Sequence, residues 1–147
     1  MAADLIMLAL EEEVECYRRL SKLAALQHEH VQQRRTEALL EVLEKRQAVL
    51  DRIGTLEQGL SGVKKQWKEY VAGLDGLNRS RAEAMLVETR ALLEQITMAD
   101  RNDALVLQQQ KLSLGRQIKQ AAEARQVNRS YAAAAYGVRT PRMDVAR

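Results

Sequence analysis

The sequence predicts an all-α fold: an elongated antiparallel bundle of three long helices, coiled-coil-like, with a flexible basic C-terminal tail. Three observations predict it. With one Pro, no Phe and 3% aromatic residues among 147, the composition is that of long helices rather than sheets. Apolar positions recur at steps of three and four over three separate stretches. The clearest turn chemistry lies in one place, Gly73-Leu74-Asp75-Gly76-Leu77-Asn78-Arg79, which combines two glycines with Asx residues. A hydrophobic content of 46% and a charged content of 29% allow one domain, placed at 1–127, followed by a tail at 128–147.

The first helix is expected over about 3–33. Ile6, Leu10, Tyr17, Leu20, Ala24 and Val31 form its stripe, and Cys16, Leu23 and Leu26 broaden it. Glu15 and Arg19 are spaced as an i,i+4 pair on the charged side. Glu11, Glu12 and Glu13 fan across about 200° of helix surface, which makes them a solvated face rather than an acidic site. The polar stretch 32–36 holds neither Gly nor Pro, so the chain either turns there, with Thr36 as N-cap, or continues; the turn is favoured.

The second helix, 37–72, carries Leu39, Leu43, Leu50, Ile53, Leu60, Val63, Trp67 and Val71 at near-heptad spacing, with Arg46 interrupting the seam. Trp67 reads as core. Gly59 and Gly62 mark either a bend or a continuous helix held by its packing.

The third helix, 81–127, is expected to open at a capping box formed by Ser80 and Glu83. Its stripe runs through Ala82, Met85, Thr89, Leu92, Ile96, Ala99, Asp103 and Val106. Beyond Asp103 the pattern continues only with a shift of one residue, through Leu107, Lys111, Leu114, Ile118 and Ala121. This divides the helix into a first half that packs and a second half that recognises a partner. In the tail, Ala132–Ala135 favour helix near 129–136, whereas Gly137 and Pro141 oppose it.

Charge is local. From Ile118 onward six basic residues face two acidic ones, a surplus of four, so about −1 of the net +3 remains for everything before. Cys16, the only cysteine, excludes an internal disulfide framework and suits a reducing compartment as a buried thiol. The apolar run Leu5–Leu10 lacks a basic leader and is too short to insert in a membrane. His28 and His30 lie about 200° apart on a helix and cannot share a metal. No phosphate-binding glycine loop follows a strand, and no acid, base or nucleophile has workable spacing. Neither catalysis nor a cofactor or metal is therefore expected, and the expected location is the cytoplasm.

Two blocks of text, Leu43-Glu44-Lys45-Arg46-Gln47-Ala48-Val49-Leu50 and Ala99-Asp100-Arg101-Asn102-Asp103-Ala104-Leu105, resemble those of the FlgN-type flagellar export chaperones, in the same order. Tyr136-Gly137 is similar to a Tyr-Gly pair in the family's tail. Arg34-Arg35 stands where the family has Gly-Asp at the first turn, and Ala99 replaces the first asparagine of its later motif. The resemblance implies a cytoplasmic chaperone, without enzyme activity, that binds the helical terminal segment of hook-associated (hook–filament junction) proteins and delivers them to the flagellar type III export apparatus.

The residues expected to hold that client are Leu105, Leu112, Leu114, Ile118 and Val127, with Tyr131 and Tyr136 as tail contacts, an arrangement suited to helix-in-groove binding. The alternative is a structural or adaptor coiled coil that self-associates, as a homodimer for instance. Nucleic-acid binding by the basic tail is the least favoured reading, since the basic surplus is small.

Overall fold

Four helices make up the computed structural model, which describes residues 2–136: α1 (Ala2–Gln32), α2 (Thr36–Lys65), α3 (Trp67–Ala72) and α4 (Gly76–Tyr136). The fold is all-α, with no strand among the described residues. In place of three helices, the second is interrupted at Gln66, whose N–H donates back to Gly62 O at 3.3 Å and Val63 O at 3.2 Å. The interruption falls beyond the glycines, and α2 runs on through Gly54, Gly59 and Gly62. No described helix is long and apolar enough to cross a membrane. The chain divides into two compact units, Met1–Val106 and Leu107–Arg147.

In the first unit α1 ends in a tight turn built on Arg34, which adopts a left-handed φ of 56°. Arg35 N–H donates to His30 O at 3.0 Å and Arg34 N–H to Val31 O at 3.2 Å, the paired bonds of a Schellman motif. Glycine usually takes this position because it has no Cβ to clash, so Arg34 holds it at a cost. Thr36 is the first residue of α2 and does not cap it; Arg35 precedes it without a side-chain cap.

The second connection also departs from expectation. Gly73 has a right-handed φ of −81°, so no left-handed glycine closes α3. The Arg79 guanidinium takes that role, donating to Val71 O at 2.9 Å, Leu74 O at 3.2 Å and Ala72 O at 3.3 Å. Asp75, not Ser80, starts α4. Its Oδ1 accepts the Asn78 N–H at 2.8 Å, which satisfies one of the donors that a helix start leaves open, and Ser80 lies inside the helix.

Two clusters form the core of this unit. One joins Cys16, Leu20 and Ala24 of α1 to Ile53 and Leu56 of α2 and Ile96 of α4. The other joins Met7 and Leu10 to Leu60, Val71 and Ala82, with Trp67 and Tyr70 against it, their ring centroids 5.6 Å apart. Each large aliphatic residue buried here contributes about 1.5–3 kcal/mol of transfer free energy. Polar pairs give the directions: the ion pair of Arg52 with Glu12 and the hydrogen bond from Arg46 to Gln27 show α2 running back along α1, while the ion pairs of Arg81 with Glu11 and Arg18 with Glu88 show this part of α4 running with α1.

Along α4 every expected packing position from Ala82 to Val106 is buried or half-buried. On α2 the seam uses Val42, Arg46 and Val49, whereas Leu43 and Leu50 stay exposed. Positions 39, 42, 46, 49, 53, 56, 60 and 63 alternate three and four without a gap, and Leu43 and Leu50 fall one place beside that row. On α1, Arg18 rather than Arg19 pairs with Glu15, at 3.4 Å, and also takes Glu88.

In the second unit α4 is helical through Tyr136, past the expected end at 127, where Ala132–Ala135 supply strong helix formers. The rest of the expected tail, 137–147, lies outside the described residues.

Candidate partner-binding surface

The second unit places its apolar side chains outside. Leu114 is 55% exposed and Ile118 60%, and these two, spaced i,i+4, share one face of α4. Leu107 lies on the same face and is 42% exposed. At 100° per residue Leu112 falls about 200° away from Leu114, so it belongs to another face. Val127 and Tyr131 are exposed and form a second i,i+4 pair, about 140–180° round the helix from Ile118. Leu105, in the first unit, is exposed too. Tyr136 ends α4, and its side chain lies outside those described. The residues singled out from sequence thus do not make one stripe. Leu114 and Ile118 come together, with Leu107 added to them.

A recess of about 380 Å³ opens beside this face, lined by Leu107, Gln108, Lys111 and Leu112. Apolar side chains with this spacing and exposure can take the apolar stripe of another helix. Among the described residues no three His, Cys, Asp or Glu side chains gather as metal ligands would.

The first unit holds two buried polar groups. Asp103, almost wholly buried, accepts from Gln27 Nε2 at 3.1 Å and lies 2.7 Å from His28 Nδ1. Arg46 donates to Gln27 Oε1 at 2.5 Å and grips Asp100 through both oxygens, at 2.7 and 2.8 Å. The hydrogen bonds that Arg46 donates to Asp100 raise the affinity of Arg46 for its proton. From sequence, Arg46 reads as an interruption of the second helix's seam and Asp103 as a polar member of the third helix's stripe. A cation and an anion each breaking a seam was the available signal that polar partners face each other inside.

The second group corrects a reading of the acidic run. Glu13 is buried rather than solvated, because it fills the gap between Leu10 and Tyr17 on the packing stripe of α1. Lys64 Nζ donates to Glu13 Oε1 at 2.6 Å and also pairs with Glu57. Glu13 Oε2 has no hydrogen-bond partner among the described residues. Burial first, and the neighbouring Glu57 second, push the Glu13 carboxyl up to about 7. Glu57 is held below the usual carboxylate range, first by the neighbouring Glu13, which keeps its own proton, and then by Lys64. Burial opposes the charge on Lys64, and the two carboxylates more than offset it. Burial likewise raises the Cys16 thiol and the Tyr17 hydroxyl.

Fold and surface together define an all-α chain whose first unit has its own core and whose second unit carries exposed apolar side chains. No protein-family model, no curated protein and no solved structure matches it.

Proposed function

We propose that this protein is a cytoplasmic export chaperone of the FlgN type, which binds the helical terminal segment of a hook-associated protein and hands it to the flagellar type III export apparatus. One observation carries the reading: Leu107, Leu114 and Ile118 stand exposed at heptad-like spacing on α4, in a chain whose first unit already has a core. An amphipathic client helix would cover them, and the client's own apolar stripe would be masked from self-association. In this reading α1, α2 with α3, and α4 as far as Val106 act as the three-helix antiparallel body expected from sequence, and the chain takes part in binding rather than catalysis.

Co-purification with hook-associated proteins tests the reading. Leu114→Asp with Ile118→Asp is expected to abolish capture of a junction protein's helical terminus while the far-ultraviolet circular dichroism and the Trp67 emission stay unchanged. Unchanged capture by that variant would sink the proposal, and unfolding would make the two residues core. A self-associating coiled coil through the same row is the competing use of this surface, and it predicts a dimer of the protein alone.

A further inference from the structure

The apolar row of the second unit is interrupted by cations at fixed places. Leu107, Lys111, Leu114, Ile118, Ala121 and Arg125 follow one another at alternating steps of four and three, which confines them to an arc of about 80° on α4. All six are exposed. Neither Lys111 nor Arg125 has a hydrogen-bond or ion-pair partner among the described residues. Glu123, the only acidic residue from 107 to 136, lies about 200° round the helix from Arg125 and cannot neutralise it. The arrangement is a short apolar strip, Leu114 to Ala121, with a cation set into the row at each end.

We propose that this row takes a partner helix whose apolar stripe is bounded by two carboxylates fourteen residues apart, one for Lys111 and one for Arg125. The proposal rests on the reading that the second unit is the docking surface, and it specifies what the client must carry. Two heptads separate Lys111 from Arg125, so the same carboxylate spacing serves a parallel or an antiparallel partner. Charges at seam and flanking positions of helix pairs set partner choice in this way, mainly by penalising the wrong partner.

A second copy of this chain is the wrong partner by the same argument. A parallel pair sets Lys111 on Lys111 and Arg125 on Arg125, while an antiparallel pair centred on Ile118 sets Lys111 on Arg125; both bring cations together. Between 107 and 136 five basic residues stand against Glu123 alone, which adds repulsion between copies. Nucleic acid fits less well, because Leu114 and Ile118 occupy the strip between the two cations and would face phosphates without being covered.

The test uses the full chain and two synthetic helical peptides of about three heptads. Both carry the same apolar stripe. One has Glu, the other Lys, at two stripe positions two heptads apart. Fluorescence anisotropy is expected to find the Glu peptide bound at least roughly tenfold more tightly than the Lys peptide. Lys111→Glu with Arg125→Glu should invert that order, and Lys111→Gln with Arg125→Gln should erase it, with Trp67 emission checking that each variant is folded.

Equal binding of the two peptides, with both lost in the Leu114→Asp, Ile118→Asp variant, overturns the charge rule and leaves the docking surface standing. Binding of neither peptide, or binding of both that survives Leu114→Asp with Ile118→Asp, overturns the two together. A dimer of the protein alone that Lys111→Glu with Arg125→Glu abolishes, or displacement of the Glu peptide by a short DNA duplex at physiological salt, also overturns the proposal.

Discussion

Arg46 and Asp100, fifty-four residues apart in the sequence, meet as a two-pronged ion pair, with bonds of 2.7 and 2.8 Å and only 11% of the Arg46 side chain exposed. Through Gln27 the same guanidinium is tied to the buried Asp103, so three helices meet in one hydrogen-bonded group. Removing either end leaves a charge in a poor environment. Asp100→Ala is expected to destabilise the first unit by about 2 kcal/mol. A double-mutant cycle with Arg46→Ala should return a coupling of about 1–3 kcal/mol in urea denaturation, and additive effects would mean that the pair contributes nothing of its own.

Glu13 makes stability depend on pH in an unusual direction. Its carboxyl is raised to about 7, whereas an unfolded glutamate titrates near ~4.3. The folded chain therefore holds the proton more tightly. The contribution of this group is full below about pH 4.3, declines as pH rises towards about 7, and is lost above it. Glu57, shifted downward, acts only on the acid side of that window. Glu13→Gln should match the unaltered protein at about pH 4 and below and exceed it by roughly 1–3 kcal/mol above pH 7. Denaturation midpoints followed across that range check it; a constant difference would remove Glu13 as the cause.

The left-handed Arg34 invites a glycine. Arg34→Gly should raise stability by about 1 kcal/mol, since the φ of 56° strains a residue that has a Cβ. The opposite exchange should help inside α2. At Gly59 an added Cβ would meet nothing within 4 Å, and Gly59→Ala should contribute about 0.5–1 kcal/mol. Thermal unfolding of the two single variants and their combination measures both; a drop in melting temperature at position 34 would contradict the turn described.

The start of α4 is decided by comparing two alanine substitutions. Asp75→Ala removes the acceptor for the Asn78 N–H and should cost about 1 kcal/mol, whereas Ser80→Ala lies within the helix and should be neutral or slightly stabilising. The reverse order in chemical denaturation would restore Ser80 as the cap.

The helical class and the packing row of α4 from Ala82 to Val106 were legible because a helix that buries one face must repeat its apolar residues at steps of three and four. Residues of similar character one step apart are harder to separate. Leu43 and Val42 fit almost equally well, and which of them faces inward is settled by neighbours on other helices, such as the Asp100 that allows Arg46 into the row. Glu13 was misplaced for the same reason, because its side chain is tolerated inside only once Lys64, fifty-one residues away, reaches it. Local rules also compete. Asp75 and Ser80 both offer cap chemistry within six residues, and the helix took the earlier. On the candidate surface, Leu114 with Ile118 followed from spacing, whereas the place of Tyr131 beside Val127 on another face needed α4 to continue past 127.

Among the described side chains, Asp103 is the last fully buried one of α4. From there to Tyr136 few side chains answer to the demands of a core, and substitutions at Lys111, Leu114, Ile118 or Arg125 should leave the melting temperature of the first unit nearly unaltered. On the proposed docking surface, affinity and specificity can thus drift with the partner, residue by residue, at little risk to the fold. A chain built this way can be retargeted by rewriting one stretch of a single helix.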